Sequence, residues 1–218
     1  MIRIAIDGPG GAGKSTIAKL VSNKLGLEYI DTGAMYRAIG LKLNRERISP
    51  NDIEAIRESL DNTSIDFVDG KIILDDEDVS DIIRTQEISK LASMYSQIPD
   101  VRTKLVDIQR RIAGGKGVIM DGRDIGTNVL TDAELKIFLT AAPMIRARRR
   151  YDELVSKGVQ AVFNDIYDDI KGRDYQDTHR KLNPLVKAED AVLLDTSEMS
   201  IEEVVDAISA EADRVSAK

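Results

Sequence analysis

Eight residues near the start of the chain restrict its fold more than any others: Gly8-Pro9-Gly10-Gly11-Ala12-Gly13-Lys14-Ser15. The spacing is G-x-x-x-x-G-K-S, the pattern of a loop that wraps a polyphosphate. An apolar run, Ile2–Ile6, precedes it, and a helix-like run, Thr16–Leu25, follows and stops at Gly26. A strand must therefore end, glycines must turn the backbone tightly, and a helix must begin with its unsatisfied N–H groups facing the turn. Gly8 to Thr16 would then hold nucleotide phosphates through backbone donors, the Lys14 ammonium and the helix dipole, with the Ser15 hydroxyl on Mg²⁺. A glycine-rich turn that binds nothing is the bland alternative. The loop does not say what the nucleotide is for, since switches, motors, transporters and small-molecule kinases all use one.

The rest of the chain repeats the alternation. Further strand-like runs are Glu28–Ile30, Gly117–Met120, Leu135–Leu139 and Ala191–Leu194. Helical patterns lie between them, which predicts an α/β fold with a five-stranded parallel sheet covered by helices in three layers. Ser49-Pro50-Asn51-Asp52 starts a helix with Ile53, Ile56 and Leu60 on one face, and Ser200-Ile201-Glu202-Glu203 is a capping box for the last helix. A long helical stretch carries Ile88, Leu91 and Tyr95, then Pro99, then Val101, Leu105, Ile108 and Ile112, and ends at Gly114-Gly115. One segment breaks the alternation. Ile65–Val68, Asp69-Gly70 and Lys71–Leu74 read as a β-hairpin with a two-residue turn, so residues 37–84 are expected to form an inserted subdomain. The tail from Ser209 to Lys218 reads as a fraying helix end.

Composition excludes several chemistries. The 218 residues contain no cysteine and one histidine, His179, so disulfides, thiol catalysis and cysteine or histidine metal clusters are out. No apolar stretch approaches the length of a membrane span, and the cytoplasm is the expected compartment. The net charge of −7 argues against a nucleic acid polymer as partner, since proteins that grip one are usually basic. It does not argue against a mononucleotide held by local arginine clusters.

Such clusters occur where a ligand belongs. Asp31-Thr32-Gly33-Ala34-Met35-Tyr36-Arg37 follows the second strand, at the carboxyl edge where such sheets bind ligands. Thr32 and Gly33 can cap a helix, and Arg37, a turn further on, can reach a second phosphate; a solvated arginine explains the pattern equally well. Asp121-Gly122-Arg123-Asp124-Ile125-Gly126-Thr127 follows the third strand at the same edge. Asp121 is placed like the strand-end acid that steadies Mg²⁺, Arg123 like a phosphate ligand, and Asp124 like an acceptor for an exocyclic amine. A polar turn with a local Asp–Arg pair is the alternative. Arg146, Arg148, Arg149 and Arg150 crowd one helical stretch, and Arg173, Asp174, Asp177 and Arg180 form a second cluster. Either could be a solvated face, but their position in a chain with a phosphate loop favours a site. There is no obvious carboxylate base. A phosphate acceptor needs none, because its oxygen is already ionised at pH 7 and the task is charge neutralisation and in-line placement.

These motifs together resemble the bacterial-type cytidylate kinases, nucleoside-monophosphate kinases of the phosphate-loop class. The resemblance covers nearly the whole chain: the loop, Asp31–Arg37, the hairpin, Ile83-Arg84-Thr85-Gln86-Glu87, Asp121–Thr127, and Arg180 with Pro184-Leu185. Gly-Arg-Asp-Ile-Gly-Thr is its most specific string; adenylate kinases carry an Asp-Gly-Phe-Pro-Arg type sequence there. The resemblance implies transfer of the γ-phosphate of ATP to CMP or dCMP by a monomeric chain, residues 1–218 forming one kinase domain with a lid near residues 147–166. It implies that Gly8–Thr16 and Arg149 bind ATP, and that Lys14, Arg123, Arg146, Arg150 and Arg180 serve the transfer. Thr32, Arg37, Arg123 and Arg180 would surround the CMP phosphate, Ser93, Arg102 and Asp124 would read cytosine, and Arg173 and Asp177 would hold the ribose. Mg²⁺ would sit on Ser15, with Asp121 reaching it through water. Ser15 stands where some relatives carry Thr or Gly, and His179 and Arg148 have no counterpart role. A kinase for UMP or AMP and a nucleotide-binding switch are the rival readings; the guanine-reading Asn-Lys-x-Asp string of such switches is missing from the sequence.

Overall fold

Ile4, Ala5 and Ile6 have no solvent-exposed surface in β1 (Arg3–Asp7), as expected of a central strand covered on both faces. The computed structural model describes residues 1–68 and 70–217. β1 pairs in parallel with β6 (Val118–Gly122) and with β7 (Leu135–Thr140), and β7 with β8 (Val192–Asp195). With β2 (Glu28–Asp31) the sheet order is β2-β6-β1-β7-β8. The register sets Ile6 beside Asp121 and Asp7 beside both Gly122 and Phe138, so the functional strand ends share one edge.

The chain separates into two compact units, Met1–Tyr29 with Lys116–Lys218, and Ile30–Gly115. In the first, α1 (Lys14–Leu25) and α8 (Ile201–Ser216) contribute Ile17, Ala18, Val21, Val204, Ile208 and Ala212 to one cluster with Ile4, Ile6, Ile119, Leu135, Ile137 and Leu139. Fully burying one such side chain stabilises the fold by about 1.5–3 kcal/mol. The Ser200–Glu203 capping box is formed, and α8 stays helical through Ser216; Lys218 lies outside the described residues. α6 (Pro143–Ser156) and α7 (Phe163–His179) pack on one another and span residues 147–166 apart from the link between them. α6 buries only Arg146 and Ala147 among its described residues, so its inward face is charged rather than apolar.

The second unit contains α2 (Thr32–Arg45), α3 (Ile53–Asp61), α4 (Gln86–Tyr95), α5 (Pro99–Ala113) and an antiparallel sheet of β3 (Ile65–Val68), β4 (Lys71–Leu74) and β5 (Glu77–Asp78). The expected hairpin is present, although its turn residue Asp69 lies outside the described residues. β5 is new: two acidic residues carry no apolar period to announce a strand. Pro99 opens α5 at its first turn, where a missing N–H costs nothing, and so divides the long helical stretch in two. The cap of α2 differs from the reading of Thr32 and Gly33 as capping residues. Asp31 caps it, accepting from the Ala34 N–H at 2.8 Å, because its carboxylate reaches the first turn from the end of β2.

Candidate active site

The loop after β1 bends through Gly11 and Gly13, whose φ angles of 77° and 88° lie in the left-handed region that side chains disfavour. Gly13 is also the N-cap of α1, and no side chain among the described residues caps that terminus. Its first-turn N–H groups are therefore left for an anion. Lys14 is buried and donates from Nζ to the Pro9 carbonyl at 2.8 Å, which folds the ammonium back over the loop. Burial, together with the nearby Arg123 charge, holds the Lys14 pKa well below its ordinary range, against the pull of Asp121, Asp7 and Asp177. An incoming phosphate would reverse that imbalance.

Ser15 and Asp121 meet. Ser15 Oγ donates to Asp121 Oδ2 at 2.8 Å, and the Tyr29 hydroxyl donates to Asp121 Oδ1 at 2.9 Å. Asp121 is 4% exposed and lies inside β6, one residue beyond the last apolar position of that run.

Several arginines of the first unit stand against carboxylates or carbonyls, and some of them lie against the loop. Arg123 Nε donates to Asp177 Oδ2 at 2.8 Å, and Arg180 donates to Asp124 Oδ1 at 3.1 Å. Burial works against both charges of the first pair, but the Arg123 guanidinium, helped by Arg173 and Arg180, holds Asp177 below the usual carboxylate range. Arg146 is 3% exposed. It donates to both oxygens of Asp174 at 3.0 and 2.6 Å, to the Gly10 carbonyl at 2.9 Å and to the Ala141 carbonyl at 2.8 Å. A Cβ placed on Gly10 would stand 3.4 Å from the Arg123 guanidinium and 3.7 Å from the Arg173 side chain, so both arginines lie against the loop. Arg149 donates to the Thr196 carbonyl at 2.6 Å, beside the end of β8, and Arg150 is exposed and paired with Glu153 at 2.7 Å. Arg146 and Arg150 share a helix face in principle, yet only Arg146 reaches the loop.

The remaining candidates belong to the second unit. Arg37 pairs with Asp31 at 2.9 Å, and its buried Nε has no hydrogen-bond partner among the described residues. Thr32 is buried. Arg102 is 2% exposed, lies over the Tyr36 ring at 5.5 Å and donates to the Ser96 carbonyl at 3.3 Å, while Ser93 is half-buried on α4. Three residues that the sequence did not single out join the first unit's site: Asp7, Tyr29 and Thr196. Asp174 was visible in a charge cluster without a role. Asp7 sits one residue before Gly8, the nearest thing to a signal; an isolated tyrosine gives none. Arg148 lies 4.8 Å over the Phe163 ring, and His179 stacks on Tyr175 at 4.0 Å.

This arrangement can hold a nucleotide polyphosphate, offer guanidinium groups to further phosphate oxygens, and present a hydroxyl–carboxylate pair to a hard cation. A family model described as cytidylate kinase matches residues 4–214. A cytidylate kinase of Caldicellulosiruptor saccharolyticus is 55% identical over 208 residues, 94% of this chain and 92% of that protein. A cytidylate kinase of Clostridium acetobutylicum is 51% identical over 207 residues, 95% of each. The crystal structure of an uncharacterized protein from Eubacterium ventriosum superposes with a TM-score of 0.55 at 14% identity, covering 98% of this chain and 99% of that one, a likeness of fold alone.

Proposed function

The chain belongs to the cytidylate kinase family, and on that premise we propose that it transfers the γ-phosphate of ATP to CMP or dCMP, giving ADP and CDP or dCDP. The observation that carries this reading is the set of carboxylate-held arginines, Arg123 on Asp177, Arg180 on Asp124 and Arg146 on Asp174, of which Arg123 and Arg146 lie against the loop. A single bound polyphosphate does not need that many guanidinium groups, whereas two phosphate-bearing substrates meeting with opposed charge do.

The loop amides and Lys14 would cradle the donor phosphates. Arg146 would neutralise charge near the bond that breaks, with Arg149 and Arg150 behind it. Arg123 and Arg180 would hold the acceptor phosphate. Its oxygen attacks without a general base, being ionised at neutral pH. Asp124 would accept from the exocyclic amine of cytosine, and Arg173 and Asp177 would hold the ribose. Thr32, Arg37, Ser93 and Arg102 are assigned to the acceptor on the family resemblance. Ser15 Oγ and Asp121 Oδ2, 2.8 Å apart, fit Mg²⁺ that keeps most of its ligands as water and phosphate oxygens. Consistent with that, the described residues contain no group of three His, Cys, Asp or Glu that would cage a metal. Charge neutralisation on the phosphate oxygens is the chemistry that Mg²⁺ supplies when bound. Among the described residues no helix is long and apolar enough to cross a membrane, and a monomer acting on free nucleotides in the cytoplasm is the matching proposal.

The test is ADP release with ATP, Mg²⁺ and a panel of monophosphates. CMP and dCMP should turn over fastest. Faster turnover of AMP or UMP would reassign the acceptor, and no turnover with any of them would leave a nucleotide-binding module.

A further inference from the structure

Asp7 is a buried carboxylate for which the transfer chemistry has no use. It ends β1 and directly precedes Gly8, and it is 5% exposed. Both oxygens are occupied: Oδ1 accepts from the Ile125 N–H and Oδ2 from the Gly126 N–H, each at 2.7 Å. Both oxygens are committed to backbone amides of the chain, so the contacts Asp7 makes are structural ones.

The two amides open a wide turn over Ile125–Val129, closed by Asn128 N–H on the Asp124 carbonyl at 3.0 Å and Leu130 N–H on the Ile125 carbonyl at 2.7 Å. Two successive N–H groups pointing the same way need two acceptors. A carboxylate is the side chain that offers both, whereas an asparagine offers one oxygen and opposes the second N–H with its own NH₂. Gly126 keeps the approach open, since a Cβ there would lie 3.4 Å from Asp7 Oδ2 and 3.1 Å from the Lys136 stem. Immediately before the turn stand Arg123, paired with Asp177, and Asp124, paired with Arg180.

We propose that Asp7 is a positioning residue: it fastens the strand that carries the phosphate loop to the turn that carries Arg123 and Asp124, and so fixes where the acceptor nucleotide lies relative to the donor loop. The inference rests on the cytidylate kinase reading above. The carboxylate is retained even though burial pushes its pKa up to about 6, opposed by the two amide bonds.

The experiment has two arms on the full chain. Asp7→Asn should lower kcat/KM for CMP about 10- to 100-fold, the loss that follows from leaving one buried N–H without an acceptor, while the dissociation constant for ATP with Mg²⁺ stays within about threefold. A folded variant with unchanged kcat/KM for CMP, or with equal losses toward ATP and CMP, overturns the proposal. In the wild-type protein, hydrogen exchange should show the Ile125 and Gly126 amides protected like those of β6; exchange at loop rates overturns the proposal even if the variant does not fold. Failure of the wild-type chain to phosphorylate CMP would count against the kinase reading instead, and the exchange data would still judge the clamp.

Discussion

Asp174 is the most informative residue to remove. Its carboxylate holds the buried Arg146 guanidinium at 2.6 and 3.0 Å, and the Gly10 and Ala141 carbonyls are the other acceptors. Asp174→Ala would strand a charge that is almost wholly buried. Breaking a buried ion pair costs about 3–5 kcal/mol when nothing compensates. Here the Asp174 side chain is 24% exposed and two carbonyls stay in place, so the expected loss is about 2–3 kcal/mol. For a chain of this size that lowers Tm by about 4–12 °C in calorimetry. The second half of the prediction separates a structural pair from a site. If Arg146 faces donor phosphate, bound nucleotide supplies the missing negative charge, so saturating ATP with Mg²⁺ should raise Tm more in Asp174→Ala than in the wild type and recover about half of the loss or more. Equal nucleotide-induced shifts in the two proteins would refute the placement of Arg146 at the phosphates. A fall in Tm under about 2 °C would refute the reckoning of the pair itself.

Asp124→Ala should raise KM for CMP about 10- to 100-fold and leave KM for ATP within about threefold in steady-state assays, because it strips the partner from a buried amine. Ser15→Ala should increase the Mg²⁺ concentration needed for half-maximal activity while leaving catalysis measurable at saturation, since Asp121 and the loop amides are untouched; an unchanged Mg²⁺ titration would remove Ser15 from the cation. The Asp7 carboxyl rises from the usual 3.8 to about 6 in the folded protein, so its protonated form is the one folding favours. The stability it contributes is complete below about pH 4 and is lost as pH climbs through 6, a change of about 3 kcal/mol. Urea unfolding of the wild type compared with Asp7→Asn should show that difference shifting against the wild type between pH 4.5 and 7.5.

The central strands β1, β6 and β7 were legible because they are largely buried and mostly apolar, and the half-buried or exposed edge strands β2 and β8 because each still carries a short apolar run. Their ends were not. β1, β2, β6, β7 and β8 each run one or two residues past the last apolar position, to Asp7, Asp31, Gly122, Thr140 and Asp195. Hydrophobicity stops where function starts, since ligand-facing strand ends in such sheets are polar. The reading therefore shortened the strands at the edge that matters and left Asp7 out of the site. Pairing partners were hidden for a different reason. Asp174 and Tyr29 act through residues 28 and 92 positions away, and no local spacing encodes that distance. What the sequence could single out was whatever carries its chemistry within one loop: the glycines, Lys14, Ser15, and the Arg123–Asp124 string.

The net charge of −7 looks wrong for a protein that must gather two phosphate-bearing substrates, and the pairing around the loop resolves it. Buried guanidinium groups without counter-ions would be costly in the free protein. Asp177, Asp124 and Asp174 supply those counter-ions before any substrate arrives, which keeps Arg123, Arg180 and Arg146 charged, ordered and aimed. On the proposed assignment, a phosphate then has to compete with a carboxylate for each arginine. Weak or single-phosphate anions gain little from that exchange, whereas a nucleotide that brings several phosphate oxygens to these arginines displaces or shares several partners at once. On the assignment proposed above, an acidic protein binds polyphosphates through cations that are local and already paired.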